Sequence, residues 1–345
     1  METALRTAPG RDGTRLTGSM SRTVSVIICT YTMERWYDVL GAVESVRAQT
    51  VPASEIILVV DHNDDLADTA RMAFPDVRVV ANAETRGLSG ARNTGVRMAG
   101  GDIVAFLDDD AAASPTWLQS LLAHYDDPDV HGVGGSASAV WTGGPRPRWL
   151  PAEFDWVVGC TYAGQPTRTA TVRNLIGCNM SFRREVFVRV GGFSPAIGRV
   201  GKRPLGGEET ELCIRVGQAM PGARIVYDPA LNVRHRVSPD RRGFRYFRSR
   251  CYSEGLSKAM VSDLVGADSG LAAERSYVTR VLPRGFLLAL LQVLLLRPFA
   301  AGRAFAIVFG LLATALGYVR GAVGMAQARR GSAAGPALPV PSRAR

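Results

Sequence analysis

From Val24 onward the apolar positions fall into two alternating patterns. Short runs rich in β-branched and other apolar residues, Val24–Thr30, Glu55–Val60, Val77–Val80 and Ile103–Leu107, predict strands, the first of them buried on both faces. Between them, Trp36–Gln49, Leu66–Ala73 and Ser89–Ala99 carry apolar or small residues at helical spacing. This alternation predicts an α/β fold, a mostly parallel sheet with helices on both faces. Such sheets bind ligands at the carboxyl ends of their strands. Thr30, Asp61 and Asp108–Asp110 stand at three such ends, so three strands are expected to deliver polar groups to one cleft.

The second half is less regular. Residues 141–151 are a Pro/Gly-rich break and read as a loop; 171–182 reads as extended, 208–218 as a helix and 224–227 as a short strand. The stretch 234–258 is densely basic with interleaved aromatics. Beyond it, 285–296 is Leu-rich and Ala304–Val319 is uncharged. A helix over the latter would be ~24 Å long at ~1.5 Å per residue, short of a ~30 Å hydrocarbon core, although flanking arginines can snorkel. A membrane contact is expected here, as a surface-lying helix or a single span, with an apolar helix pair packed on a soluble body as the competing reading. The expected organisation is a disordered 1–21, a catalytic domain over 22–262, a membrane-associated helical region over 263–330 and a disordered tail over 331–345.

Composition narrows the partners. A net charge of +10 over 345 residues asks for an anionic counterpart. Zinc-finger spacing and a base-reading basic helix are both lacking, so nucleic acid is not expected and anionic lipid or phosphorylated substrate is. The five cysteines are odd in number and never spaced C-x-x-C, which reads as reduced thiols on the cytoplasmic side of a membrane.

Four groups of residues carry candidate chemistry. Asp108, Asp109 and Asp110 close a buried strand, where mutual repulsion calls for a counter-charge; a divalent cation, Mg2+ or Mn2+, supplies one and shares its shell with phosphate. The segment Arg86–Asn93 joins a Gly-rich turn to a helix N-terminus, with Ser89 as a candidate cap and Arg86 and Arg92 suited to a diphosphate. In 206–212, Glu208 and Glu211 share a helix face with Arg215 while Glu209 points elsewhere; either general base or simple helix-dipole partner fits these acids. His235 is either structural or a further metal ligand.

In order and combination, VSVIICTY (24–31), EIILVVD (55–61), RGLSGARNTG (86–95), IVAFLDDD (103–110), GCNMSFRREVF (177–187) and GGEETELCIR (206–215) resemble the family 2 glycosyltransferases over roughly residues 23–260. The resemblance implies the Rossmann-like GT-A fold and an inverting, metal-dependent transfer from a nucleotide-sugar donor, UDP-linked by the match at Asp61. It also implies roles. Thr30, Tyr31, Glu34 and Asp61 would flank the nucleoside, and Arg86 and Arg92 the diphosphate. Asp110 would ligate the metal, Asp109 would share it or face the ribose, and Asp108 would contact the ribose. Gly177 and Asn179 would touch donor sugar or acceptor. Glu209 stands where the family usually has an Asp base, so the base is Glu209 or its neighbour Glu208. A narrower likeness, in VVDHND, EFDWVVGCTY and YFRSRCYSEGLSKA, is to the glucosyl-dolichyl-phosphate glucuronosyltransferases, which implies a polyprenyl-phosphate-linked or glycan acceptor. A retaining GT-A transferase and a catalytically silent nucleotide-sugar-binding module are the alternatives.

Overall fold

A computed structural model describes residues 22–200 and 204–333. The expectations of disorder for 1–21 and for the end of the tail lie outside those residues. The predicted α/β alternation is present: β1 (Val24–Thr30), α1 (Trp36–Arg47), β2 (Glu55–Val60), α2 (Asp64–Ala73), β3 (Arg78–Ala81), α3 (Leu88–Met98) and β4 (Ile103–Asp108) follow in order. Then come β5 (Ala111–Ala113), α4 (Trp117–His124), β6 (Val130–Trp141), β7 (Ala170–Thr171), β8 (Asn179–Arg183), α5 (Arg184–Val190), α6 (Glu208–Ala219) and β9 (Arg224–Val237). The helices α7 (Phe244–Val265), α8 (Ala267–Gly270), α9 (Ala272–Ser276), α10 (Leu282–Leu294) and α11 (Ala300–Ala333) complete the chain.

All the strands form one nine-stranded sheet, ordered β3-β2-β1-β4-β8-β6-β9-β5 with β7 on β9. The first four strands pair in parallel, as predicted. The remainder is mixed rather than parallel, because β8 runs antiparallel to both β4 and β6 and β5 antiparallel to β9. One apolar core lies on each face, one built on Val26, Ile28 and Trp117 and the other on Ile27, Phe106 and Phe182. Alternate residues of β1 point to opposite cores, the period-two rule of a strand.

Two elements are longer than predicted. The short strand expected at 224–227 continues to Val237. The Asp228-Pro229 break that hid it is absorbed where the register against β6 jumps between Gly135 and Ser136, at a bulge, which is where a strand tolerates proline. The uncharged stretch expected as a short helix is the middle of the 34-residue α11, roughly 50 Å long. The tail boundary expected after Arg330 therefore falls inside a helix, and the boundary expected at 262 falls inside α7. One face of α11 packs along α7 at backbone contact: a Cβ on Gly255 would lie 2.0 Å from Thr314 O, and one on Gly317 2.1 Å from Tyr252 O. Gly310 of the same face meets Phe154 and Phe247. The opposite face leaves Phe305, Val308, Leu312, Leu316, Val319 and Val323 exposed at i+3/i+4 spacing, and α10 exposes Leu287, Leu291 and Leu294.

Candidate active site

Parallel pairing brings the ends of β1, β2 and β4 to one edge of the sheet, with Thr30 opposite Val60 and Cys29 opposite Asp108. A cleft of about 950 Å3 opens there, lined by Thr30, Tyr31, Asp61, Arg92, Asp108–Asp110, Gly177, Glu208, Glu209 and His235. The convergence expected from three strand ends is therefore present.

Asp61 is held by its neighbours: Asn82 Nδ2 donates to Oδ1 at 2.7 Å, Gly87 N donates to Oδ2 at 2.9 Å, and His62 Nδ1 lies 2.8 Å from Oδ1. Gly87 caps α3 at φ +128, and a Cβ there would meet Val200 at 2.9 Å, so the turn needs glycine. Ser89 is not the cap; its hydroxyl donates to Ile197 O at 2.7 Å and ties α3 to the loop before α6.

The three aspartates have separate surroundings. Asp109 Oδ1 accepts from Arg35 Nη1 at 2.7 Å. Asp110 is surrounded by cations, with Arg35 Nη1 at 3.3 Å, His235 Nε2 at 3.2 Å and Arg241 Nη2 at 3.5 Å. Burial by itself would raise the Asp110 carboxyl, but His235, Arg35 and Arg241 together hold it well below the usual carboxylate range. Burial would likewise lower His235, yet Asp110 pushes the imidazole up to about 10. Asp109 goes the other way, pushed up to about 6, because its burial outweighs Arg35. His235 arrives through the part of β9 that the sequence hid, since β5–β9 pairing sets it against Ala111.

Arg92 is nearly fully buried and clamps the floor. It donates to Glu208 Oε1 at 2.8 Å, to Asp108 Oδ1 at 3.2 Å and to Gly177 O at 3.0 Å. Three of its five N–H donors are thus engaged by protein groups, which fixes Arg92 as a brace of the cleft floor. Glu208 is buried against it. Glu209, one position along α6, is only half-buried and faces the cleft; a Cβ on Gly177 would lie 3.8 Å from its Oε2. Burial, then repulsion from Glu208, pushes the Glu209 carboxyl up to about 7.

Other expected residues stand apart from the cleft. Asn179 is fully buried and does not line the cleft; its amide donates to Ser136 O and Leu231 O and accepts from Trp117 Nε1, so it braces the sheet. Glu34 and Arg86 are exposed and do not line the cleft, Arg86 reaching only His62 O at 3.2 Å. Arg35 and Arg241 were missed by sequence reasoning. Arg35 follows the first strand within five residues, a spacing that offered a weak signal; Arg241 carries none apart from the basic run around it.

The aspartates do not lack counter-charge as expected, because Arg35, Arg92, Arg241 and His235 surround them. A metal fits on other grounds. Ligand atoms of Asp108, Asp110 and His235 all lie within 4.8 Å of one another. Asp108 takes part there in place of the expected Asp109, which Arg35 occupies.

A parallel sheet with nucleotide-suited acids at its carboxyl edge and a cleft-facing carboxylate on a later helix is that of a GT-A glycosyltransferase. Comparison with known proteins bears this out. The sequence profile of glycosyl transferase family 2 matches residues 25–191. The chain is 38% identical over 242 residues to the glucosyl-dolichyl phosphate glucuronosyltransferase of Haloferax volcanii, spanning 69% of this chain and 77% of that one. It is 31% identical over 164 residues to the pre-mycofactocin glycosyltransferase of Mycobacterium tuberculosis, spanning 47% of this chain and a third (33%) of that one. The fold is similar to that of a mannosyltransferase from Pyrobaculum calidifontis solved with GDP-Man and Mn2+, at a TM-score of 0.54 and 19% identity over 86% of this chain and 87% of that one. The chain belongs to glycosyl transferase family 2.

Proposed function

We propose that this transferase moves a sugar, with inversion, from a UDP-sugar to a hydroxyl of a saccharide carried on a polyprenyl phosphate. The observation that carries the reading is Glu209: a half-buried carboxylate with a pKa pushed up to about 7, facing the cleft that also holds Asp61 and the Asp108–Asp110–His235 cluster. A base near neutrality suits proton removal from a sugar hydroxyl. In this reading Glu209 takes the acceptor's proton and the freed oxygen bonds to the anomeric carbon. The bond from that carbon to the diphosphate breaks from the opposite side, and the nucleoside diphosphate leaves with the electron pair. Thr30, Tyr31 and Asp61 hold the nucleoside, and Arg35 and Arg241 keep the aspartates ionised and in place. Asp108, Asp110 and His235 would hold a divalent ion; oxygen and imidazole donors together favour Mn2+ over Mg2+. Such an ion supplies positive charge against the leaving diphosphate. The Mn2+ beside GDP-Man in the Pyrobaculum structure and the dolichyl phosphate in the name of the Haloferax relative support the cofactor and acceptor class. A panel of nucleotide sugars offered with a polyprenyl-phosphate-sugar acceptor, read by mass spectrometry, tests the reading. A mass increment of one hexose or hexuronate on the lipid product, with UDP released, is expected; donor turnover only to water overturns it.

The same reading places 263–330 at the cytoplasmic face of the membrane, consistent with five unpaired cysteines. The stretches Ala272–Leu294 and Ala300–Arg330 are long and apolar enough to cross a bilayer. Packing of α11 along α7 favours a helix lying in the interface plane, with Phe305, Leu312, Leu316 and Val319 dipping into lipid. The basic 234–258 segment contributes less to lipid attraction at the surface than its composition implies, because His235, Arg236 and Arg241 are turned onto carboxylates and Arg250 lines the cleft. Leu312→Glu combined with Leu316→Glu should abolish co-flotation with liposomes while leaving the melting temperature within a few degrees, since both side chains are exposed. A double variant that floats like the wild type would refute the anchor.

A further inference from the structure

A file of charged side chains runs down the cleft from Glu209 toward the apolar helices. Arg250 Nη1 donates to Glu254 Oε2 at 2.8 Å, and Glu254 Oε1 lies 3.0 Å from Lys258 Nζ. Lys258 Nζ donates to Glu274 Oε1 at 2.6 Å, and Glu274 accepts both Nη1 and Nη2 of Arg173, at 2.6 and 2.9 Å. Every member lines the same cleft as the aspartates. Arg250 adjoins the loop that begins α6, since a Cβ on Gly206 would lie 3.6 Å from its Nη2. At the far end the cleft wall turns apolar, with Val281, Leu282, Leu311 and Ala315.

Arg173, Arg250 and Lys258 face Glu254 and Glu274, with Glu209 at the head of the file as the third carboxylate. The signs therefore balance only while Glu209 is ionised; once it takes the acceptor's proton, one positive charge is in excess on the cavity wall. A cross-link between helices needs matched charges only, and apolar packing does that work at lower desolvation cost. A surplus cation between a base and an apolar slot suits a singly charged anion that has a sugar on one side and hydrocarbon on the other. A phosphodiester between sugar and prenyl chain has that form.

We propose that Arg250 and Lys258 form the acceptor's phosphate subsite, with the acceptor sugar lying toward Glu209 and the prenyl chain leaving along Val281, Leu311 and Ala315 between α10 and α11. This deepens the lipid-linked acceptor reading and rests on it. The outer faces of the same two helices are those that meet lipid in that reading, so a chain leaving there passes into the bilayer without crossing water.

The test is calorimetry of farnesyl phosphate, a phosphomonoester that at about pH 5 carries close to the single charge of the diester, at that pH on full-length protein saturated with UDP and Mn2+, with farnesol and inorganic phosphate as comparison ligands. Farnesyl phosphate should bind at least tenfold more tightly than either. Equal binding of farnesol means an apolar slot without a phosphate subsite, and equal binding of inorganic phosphate means an anion site without a chain path; each overturns the proposal. Lys258→Gln should weaken farnesyl phosphate at least tenfold, whereas Glu254→Gln, which makes the wall more positive, should tighten it severalfold. A purely structural network predicts weakening or no change in both. UDP affinity within twofold of wild type serves as the folding control, and if Lys258→Gln does not fold, the Glu254→Gln result decides. Transfer assays separate the two levels of the argument. Equal transfer to phosphate-free alkyl glycosides defeats the lipid-phosphate acceptor itself. A strong preference for the phosphate-linked acceptor, with a KM unmoved by either variant, defeats this subsite alone.

Discussion

Glu209→Gln should retain UDP-sugar binding and lose transfer by about 10^2–10^4-fold, the range associated with removing a general base. The substitution keeps size and shape, so Thr210 and the start of α6 stay in place. The pH dependence sharpens the test. Glu209 works only when deprotonated, and its pKa is pushed up to about 7 by burial and by Glu208. Transfer in the wild type should therefore fall about tenfold per pH unit below that value and level off above it. The residual activity of Glu209→Gln should have lost that limb. Glu208→Gln is the control: its carbonyl still accepts from Arg92, so the clamp on Asp108 and Gly177 survives and the acid limb should persist. A dead Glu208→Gln beside an active Glu209→Gln would move the base by one residue.

The N-terminal half of the fold was legible in the sequence because β1, β2 and β4, unlike the half-exposed β3 at the sheet edge, are buried over most of their length on both faces. Only a largely apolar run satisfies that environment, and the strand ends follow from where the run stops. Asp61 and Asp108–Asp110 were found for the same reason. The later strands carry no such mark. In β9, Asp228-Pro229 interrupts the run, and the strand continues because β9 itself bulges there, the residues between Asp228 and Asn232 looping out opposite Gly135 and Ser136 of β6. Overlooking that strand also hid why His235 reaches Asp110, though its residue type alone had flagged it. Arg92 shows the opposite limit. Its position beside a helix N-terminus fitted a diphosphate, but three protein acceptors claim its guanidinium, and those come from residues 85 or more positions away as well as from Asp108. Asn179 was drawn in by its motif, whereas its burial decides its work. Chain spacing reveals which groups share an edge, and tertiary pairing decides which of them remain available to a ligand.

Asp110→Ala should remove the Mn2+-dependent part of nucleotide binding altogether, and it tests the metal assignment most severely because Asp110 sits at the centre of the cluster. Asp110 shares ligand reach with Asp108 and His235 and is also the counter-charge for His235, Arg35 and Arg241. Alanine therefore has two consequences that must be separated. It leaves three buried cations with less negative charge, which should cost about 3–5 kcal/mol of stability by the usual penalty for breaking a buried pair. It also takes away a carboxylate oxygen that a hard divalent ion prefers over any neutral donor nearby. Asp110→Asn distinguishes the two, since the amide keeps the shape of the side chain and can still accept from His235 and the arginines while ligating a cation far less well. Both variants should show the same UDP affinity with Mn2+ as with chelator, measured by calorimetry, whereas in the wild type Mn2+ should tighten UDP by more than tenfold. Asp109→Asn should retain much of that enhancement, because Arg35 already occupies Asp109 and its oxygens lie outside the three-residue cluster. Persistence of the Mn2+ effect in folded Asp110→Asn would place the ion elsewhere in the cleft and leave Asp110 as an anchor for the surrounding cations.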